Sequence, residues 1–407
     1  MAVYVSLNPN RVNGTFSRLR EESLHAVKNL PIPGRPDEAW RRLPENFIKG
    51  LFSFIPVENT VPGAGSATAL HSTGDFLHAP ENGEASRLIE EVLEQWQDGE
   101  FRRRGTRLVR PNDVEDNTLA ALHLAYSREI HILQFEGDGE KSGSTGKIEF
   151  KLQPIFASNI GSVALPLLIV RVKKAAEAGL EIVLRPQAEA ARQTILQTVY
   201  LLEEGASLSV VMKTEDFNEG NLVCIERSYQ EAGSHLMIGG EFKTRNLSMR
   251  DGRYALLGRS AELEHYSLQQ PLGTGFSAQK TVVEHYAPYT RSNIELRSVL
   301  DKKAKALFVG TVKIPAGAEG AEAYEQHRTL LLSNEARVES LPELEIVEND
   351  VSCSHAASIS EIDREELFYL QSRGIQADDA QQLLTEAFTR RIQSKMATLQ
   401  PGREANT

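Results

Sequence analysis

Cysteine is nearly absent from this chain. Among 407 residues there are only Cys224 and Cys353. Two thiols cannot supply the four ligands of a self-contained Cys₄ zinc site or iron–sulfur cluster. One disulfide is arithmetically open. The N-terminus (Met1-Ala2-Val3-Tyr4-Val5-Ser6) shows no charged segment leading into an apolar one, so no secretory signal is read. Two free thiols in a reducing cytoplasm are expected. Long apolar runs are missing too. The longest, from Ser162 to Val170, is broken by Pro166 and stopped by Arg171. That is far short of the ~20 residues that span a bilayer, and no membrane role is expected. Positive charge is in deficit: 45 Lys and Arg face 56 Asp and Glu, a net charge of −11. Binding nucleic acid needs cations to displace phosphate counterions. A nucleic-acid partner is therefore not expected, and the local run Arg102-Arg103-Arg104 does not alter the balance.

Several chemical signatures are absent as well. Gly63-Ala64-Gly65 lacks the third glycine of a dinucleotide loop and follows no strand pattern. Gly143-Ser144-Thr145-Gly146-Lys147 has Lys141 where a phosphate loop needs glycine, and Ile148 where it needs Ser or Thr. An ATP-driven step would thus need an ATPase on another chain. There is no Gly-x-Ser-x-Gly and no His-Glu-x-x-His. The ten histidines are scattered without metal-ligand spacing.

What is present is a hydrophobic content of 41%, enough for packed cores, in a length that predicts two to three units. Residues 1–135 read as helical and irregular. Phe16, Leu19, Leu24, Val27 and Leu30 mark one amphipathic helix, and Leu88, Ile89, Val92, Leu93 and Trp96 a second. A third is expected from about Asn117. Residues 137–147 read as a polar Gly/Ser-rich linker or exposed loop. Residues 136–359 read as a β core. Runs such as Thr194–Leu202, Lys305–Ile314 and Glu343–Val347 follow one another with small turns, and alanines recur just before strands at Ala206, Ala261, Ala304 and Ala336. Asp251-Gly252 is the one strong hairpin signal. With hairpin dipeptides so scarce, a parallel β-helix is favoured over a sandwich or barrel. Residues 360–407 return to helix. Ser360-Glu361-Ile362-Asp363 has capping-box spacing, and Gly374 is a natural stop. Leu383, Leu384, Ala387, Phe388, Ile392, Met396 and Leu399 then share one predicted helix face. The fold class is mainly β: a β-helix between N- and C-terminal α-helical regions.

Two clusters could carry chemistry. Glu343, Glu345, Glu348 and Asp350 crowd one stretch, and paired carboxylates serve glycoside cleavage. The bland reading is a solvated strand face. Cys353 and His355 stand two apart, on one side of a predicted strand. Thiol and imidazole are soft and borderline metal ligands. The bland reading is a buried cysteine beside a hydrogen-bonded histidine.

Around that pair, Asn349-Asp350-Val351-Ser352-Cys353-Ser354-His355-Ala356-Ala357-Ser358 is followed by Ile362-Asp363 and by Leu367-Phe368-Tyr369-Leu370-Gln371-Ser372-Arg373-Gly374-Ile375. This order closely resembles the C-terminal signature of the SufB/SufD family, and Cys-Ser-His resembles its SufD branch. The resemblance is strong over about 280–390 and loose before, as at Pro36–Arg41. Residues 135–165 align poorly and could be an insertion. Ala356 and Ser358 depart from the usual glycine and threonine. The position of SufB's reactive cysteine falls near His327.

The resemblance implies a right-handed β-helix. It also implies a non-catalytic scaffold subunit that pairs with a SufB-like chain and docks a SufC-like ABC-type ATPase through the C-terminal helices. Leu367, Phe368, Tyr369 and Arg373 lie in that docking region. It implies no cofactor stable on the isolated chain, but a transient iron–sulfur cluster shared with the SufB-like partner. His355 is the implied iron or cluster ligand, and Cys353 a second, more structural candidate. A flavin in the complex and a homodimer of the isolated chain are left open. The alternatives are a carbohydrate-active β-helix enzyme using the acidic stretch, and a SufB-like homodimeric scaffold.

Overall fold

The computed structural model describes residues 161–186, 193–215 and 220–399. Before them it describes short segments at 2–7, 18–23, 69–74, 76–78, 87–88, 90–93, 120, 123–125, 127, 129–137, 144–152 and 156–158. Among the described residues, seven strands precede the regular stack: β1 (Ala2–Leu7), β2 (Ala69–Gly74), β3 (Phe76–His78), β4 (Glu129–Phe135), β5 (Ser144–Leu152), β6 (Phe156–Ser158) and β7 (Gly161–Ala164). The stack runs through β8 (Pro166–Val172), β9 (Glu177–Pro186), β10 (Gln193–Leu202), β11 (Ser207–Thr214), β12 (Asn221–Gln230), β13 (His235–Thr244) and β14 (Leu247–Leu256). It continues as β15 (Glu262–Pro271), β16 (Phe276–His285), β17 (Arg291–Leu300), β18 (Lys305–Ile314), β19 (Ala321–Leu331), β20 (Arg337–Ile346) and β21 (Val351–Glu361). Two helices close the chain, α1 (Arg364–Ser372) and α2 (Ala377–Thr398).

From β8 onward the strands alternate between two sheets. One has the order β20-β18-β16-β14-β12-β10-β8-β4-β1-β3 and the other β2-β5-β9-β11-β13-β15-β17-β19-β21. Each strand from β8 pairs in parallel with the strand two later, as in Gln193↔Asn221 and Ala321↔Val351. The core is therefore a parallel β-helix. The first sheet meets β1 antiparallel at β4 and the second meets β2 antiparallel at β5. At the other end both sheets stop, at β20 and β21.

One corner of the coil explains the recurring small residues. Ala175, Gly205, Gly233, Ser260, Tyr289 and Gly320 all have left-handed backbone, with φ between 55° and 70°. The N–H of each donates to the same corner of the next coil, as Gly205 to Ala232 O (2.8 Å) and Gly320 to Asp350 O (2.7 Å). The following residue (Ala176, Ala206, Ser234, Ala261, Thr290 or Ala321) points inward and is at most 1% exposed. Small side chains, alanine most often, fill this enclosed position, which is why alanine precedes so many strands.

The structure revises several local expectations. Asp251-Gly252 is not a hairpin; it lies inside β14, between Glu226-directed and Thr281-directed pairings of Gly252. The glycine makes room for the Tyr254 ring, whose hydroxyl would stand 2.6 Å from a Cβ there. Asp251 meets Arg227 at 3.3 Å. Ser144–Lys147, read as linker or loop, begin β5: all four pair with β9, and Gly146 and Lys147 also pair with β2. Pairing with neighbouring strands overrides their weak strand preference. Ser360 is not a helix cap: it lies within β21, one residue before its end, and donates to Thr329 O at 3.3 Å. Asp363 caps α1 instead, accepting from Glu365 N (2.8 Å) and Glu366 N (3.3 Å). Gly374 ends the turn with φ 88°.

On α2, Ile392, Met396 and Leu399 bury against Val211, Tyr266 and Leu268. Leu383 is exposed, as is Ala387. Ala380 in the first turn and Thr389 further on are buried as well, and Lys395 reaches Glu295 at 2.7 Å. In the N-terminal third, buried Leu19, Val92, Leu93 and Leu124 pack on the outer face of β8 and β10 through Leu167, Ile169, Val199 and Leu201. Phe16, Leu24, Pro36–Arg41, Ile89, Trp96, Arg102–Arg104 and Asn117 lie outside the described residues, as do 138–143 of the expected linker.

A tight coil contact gives the first prediction. A Cβ on Gly258 would overlap the Ala232 backbone nitrogen of the preceding coil, whereas one on Gly317 would meet nothing within 4 Å. Gly258→Ala is expected to lower stability by ~3 kcal/mol, an overpacking cost. Gly317→Ala, at φ 93°, should cost only the left-handed penalty of ~1 kcal/mol. Urea midpoints measure both, and equal losses would contradict the close stacking at Gly258.

Candidate functional site

Because strands stack in register, each inward side chain lies against its register partners in the coils on either side. The early coils enclose apolar groups such as Val170, Leu180, Leu208 and Ile238. Polar groups enter further along. Glu226 is fully buried and accepts from Arg250 Nε (2.9 Å), Arg250 Nη2 (3.1 Å) and the Tyr254 hydroxyl (2.5 Å). Arg250 also stacks over Phe242 at 5.1 Å. Burial pushes the neighbouring Cys224 thiol far up, with Glu226 adding to the effect. It is an inert core thiol, not a nucleophile. Burial holds His265, edge-on to Tyr254 at 5.4 Å, neutral.

The next-to-last coil holds His327 and Glu325 on its inner face. His327 is saturated: Nδ1 meets Ser340 Oγ at 2.9 Å, and Nε2 meets Ser298 Oγ at 3.0 Å and Thr329 Oγ1 at 3.2 Å. Burial draws its pKa down to about 4, so a neutral imidazole stands where a sulfur-accepting thiol would be looked for. Glu325 is its opposite. It is 4% exposed, and its carboxylate rests against Gly310, where a Cβ would overlap it. Its Oε2 has no hydrogen-bond partner among the described residues. Burial first, and the charge of Glu343 second, push its pKa up to about 8.

The last coil lies over these residues. In β21, Cys353 is in register with Ala323 and His355 with Glu325. Cys353 is half-buried against Val312, Ile314 and Ala323. Burial raises its thiol pKa, opposed by a hydrogen bond with the Ala323 backbone. His355 is exposed, since no further coil covers it. Cys353 and His355 thus share one strand face, as their spacing predicts. Among the described residues, no three His, Cys, Asp or Glu side chains gather closely enough to hold a metal. Beside the pair, Leu344, Ile346, Val347 and Ile359 are exposed, Val347 by 69%. The outer edges of β20 and β21 carry unpaired backbone groups. An exposed sheet edge with an apolar fringe is a template for another chain.

The acidic stretch is engaged piecemeal. Glu343 accepts from Thr311 Oγ1 at 3.0 Å, and Glu345 pairs with Lys313 at 3.0 Å. Glu348 accepts from the backbone of Gly317 (2.9 Å) and Asn349 (2.8 Å), which holds its carboxyl below the usual range. A second surface lies on α1, which buries none of its residues. Leu367 is half-buried, while Phe368 and Tyr369 are 71% and 55% exposed. The Arg373 guanidinium sits 5.2 Å from the Tyr369 ring centre.

A single family accounts for this combination. The family described as "SUF system FeS cluster assembly, SufBD core domain" matches residues 156–388. The chain belongs to the SufBD family. It is 30% identical to an iron–sulfur cluster assembly SufBD family protein of Synechocystis, over 53% of this chain and 48% of that protein. It is 33% identical to the iron–sulfur cluster assembly protein SufD of Escherichia coli, over 39% of this chain and 36% of that one. The SufD of Bacillus subtilis is 32% identical over 34% and 29% of the two chains. The SufBD chain thus spans about half or less of the length of these relatives. Among its described residues, no helix is long and apolar enough to cross a membrane.

Sequence reasoning singled out Cys353 and His355 but passed over Glu325. The signal was there in the alternation Ala323, Glu325, His327, Thr329, which repeats the inward parity of Cys353 and His355 one coil earlier. It became readable only once the register was known.

The buried acid makes a pH prediction. Its folded pKa of about 8 exceeds its ordinary 4.5, so folding takes up a proton between those values. Its effect on stability is neutral below about pH 4.5, increasingly unfavourable up to about 8, and constant above. Glu325→Gln should therefore raise stability at pH 8 relative to pH 5, by on the order of a few kcal/mol. Melting temperatures of the two proteins across that range measure the difference, and a gap independent of pH would contradict it.

Proposed function

We propose that this SufBD chain is a SufD-like, non-catalytic subunit of the iron–sulfur cluster assembly machinery, working in the cytoplasm. It pairs through the open end of its β-helix with a SufB-like chain and docks a SufC-like ATPase through α1. It contributes His355 to iron entry or to ligation of a cluster shared with that partner. One observation carries the reading: both sheets end uncovered at β20 and β21, and His355 stands in that uncovered coil.

The chemistry of the chain supports each part. Two cysteines, one of them sealed in the core at Cys224, cannot hold a cluster alone, so a shared site needs ligands from a second chain. His355 offers an accessible nitrogen, while Cys353 is half-buried with its thiol pKa raised, which favours packing over ligation. Lone pairs and N–H groups along β20 and β21 can be satisfied by strands of a related β-helix. In the isolated chain a second copy could meet the same edge, giving a homodimer. The exposed aromatic pair Phe368 and Tyr369, with Arg373 beside it, has the composition of a protein-binding hot spot. The saturated His327 disfavours a self-sufficient SufB-like scaffold, because no thiol is available there. The individually paired carboxylates of Glu343, Glu345 and Glu348 disfavour a glycosidase.

Co-expression with SufB-like and SufC-like partners tests the reading. The chain is expected to co-purify with both. Phe368→Ala with Tyr369→Ala should weaken ATPase binding by at least ~2 kcal/mol without lowering the melting temperature. His355→Ala should leave the complex intact while reducing iron recovered after anaerobic reconstitution. Failure to bind either partner would overturn the assignment.

A further inference from the structure

We propose that Glu325 and His355 together form a divalent-cation site inside the open end of the β-helix, with Glu325 as its buried anionic ligand. The inference rests on the reading of this chain as an iron-handling subunit and adds a residue and a depth to it.

Two buried glutamates in the same interior make the contrast. Glu226 is a structural acid: three donors from Arg250 and Tyr254 surround it. Glu325 is buried to 4% exposure, yet its Oε2 accepts nothing among the described residues. Enclosing a carboxyl with an unpartnered oxygen costs stability that an apolar residue would not forfeit. The packing is also shaped around it, since a Cβ at position 310 would occupy the volume the carboxylate fills. Toward the open end, register places His355 of β21 beside Glu325 of β19, while Glu343 of β20, whose charge also reaches Glu325, is engaged by Thr311. Cys353, two residues before His355, packs on the interior cluster of the last coils. His355, two residues on, therefore projects to the same side of the strand. Parallel neighbours lie ~4.8 Å apart, a spacing that lets an oxygen and an imidazole nitrogen meet one ion between them.

The donor set identifies the class of ion. One carboxylate oxygen and one imidazole nitrogen suit first-row divalent metals such as ferrous iron or cobalt(II), rather than calcium or magnesium, which take oxygen ligands throughout. Two side chains leave coordination positions open for water or for groups of a second chain. The ion would enter from the uncovered end, past His355, and meet the buried carboxyl beneath it, which gives up its proton to solvent as it ligates. Nearby, His327 has both ring nitrogens already engaged by Ser340, Ser298 and Thr329, so it does not compete.

The test uses the full chain and cobalt(II) as the probe. Binding is followed anaerobically by visible absorption, with ferrous iron as competitor. Glu325→Gln and His355→Ala are each expected to weaken cobalt(II) binding at least tenfold, the scale of losing a metal-site partner. In the double variant the two losses should not add. Glu325→Asp, which keeps a carboxylate, should bind more tightly than Glu325→Gln, so the site stays testable if one variant folds poorly. Unchanged affinity in Glu325→Gln would overturn the proposal. So would an equal loss on adding Glu325→Gln to His355→Ala, which would mark a purely structural acid. Capture of the SufB-like partner is measured on the same preparations. Lost capture with normal cobalt(II) binding would count against the assembly reading and leave the site standing.

Discussion

In-register stacking of successive coils is the constraint on which the rest of this molecule depends. It fixes which side chains face inward and makes each inward residue a neighbour of its counterparts one coil before and one after. It also requires the left-handed corners at Ala175, Gly205, Gly233, Ser260, Tyr289 and Gly320 to align, since each donates its N–H to the next. The interior can therefore be followed coil by coil, from the leucine and valine layers to Glu226 and Arg250, then to Glu325 and His327, and finally to Cys353 and His355.

The stack needs an end, and the two ends differ. Antiparallel β1 and β2 meet the early strands β4 and β5, whereas the two sheets of the solenoid terminate at β20 and β21. The missing layer has two consequences. The backbone of the last strands keeps its capacity to pair, and the inner side chains of the last coil become surface. The same absence that leaves an edge for another chain thus leaves His355 reachable. A closed solenoid would have buried the imidazole, as His327 is buried one coil earlier.

Much of this was legible in the residues. Lys305–Ile314 reads as a strand, with clear alternation over Thr311–Ile314, and it is the strand observed. The Cys353–His355 spacing gave the shared strand face. The misreadings share a physical origin. Asp251-Gly252 reads locally as a turn, but its glycine serves the packing of Tyr254 and its aspartate the charge of Arg227. Ser144–Lys147 is strand because β9 pairs with all of it and β2 with its last two residues, which local composition does not reveal. Ser360 has the spacing of a cap, yet the sheet claims it first. Glu325 was hidden for the same reason: its importance lies in what stands above it in the next coil, about thirty positions away, and in a register that coils of unequal length conceal.

The central claim is that the uncovered coil at β20 and β21 is where this SufBD chain meets its SufB-like partner. Amide hydrogen exchange of the chain, alone and in complex, tests it most directly. Arg337–Ile346 and Val351–Glu361 are predicted to gain protection on complex formation, while β11 and β13, in mid-stack, stay unchanged. Complex formation without added protection in β20 or β21 would contradict the account.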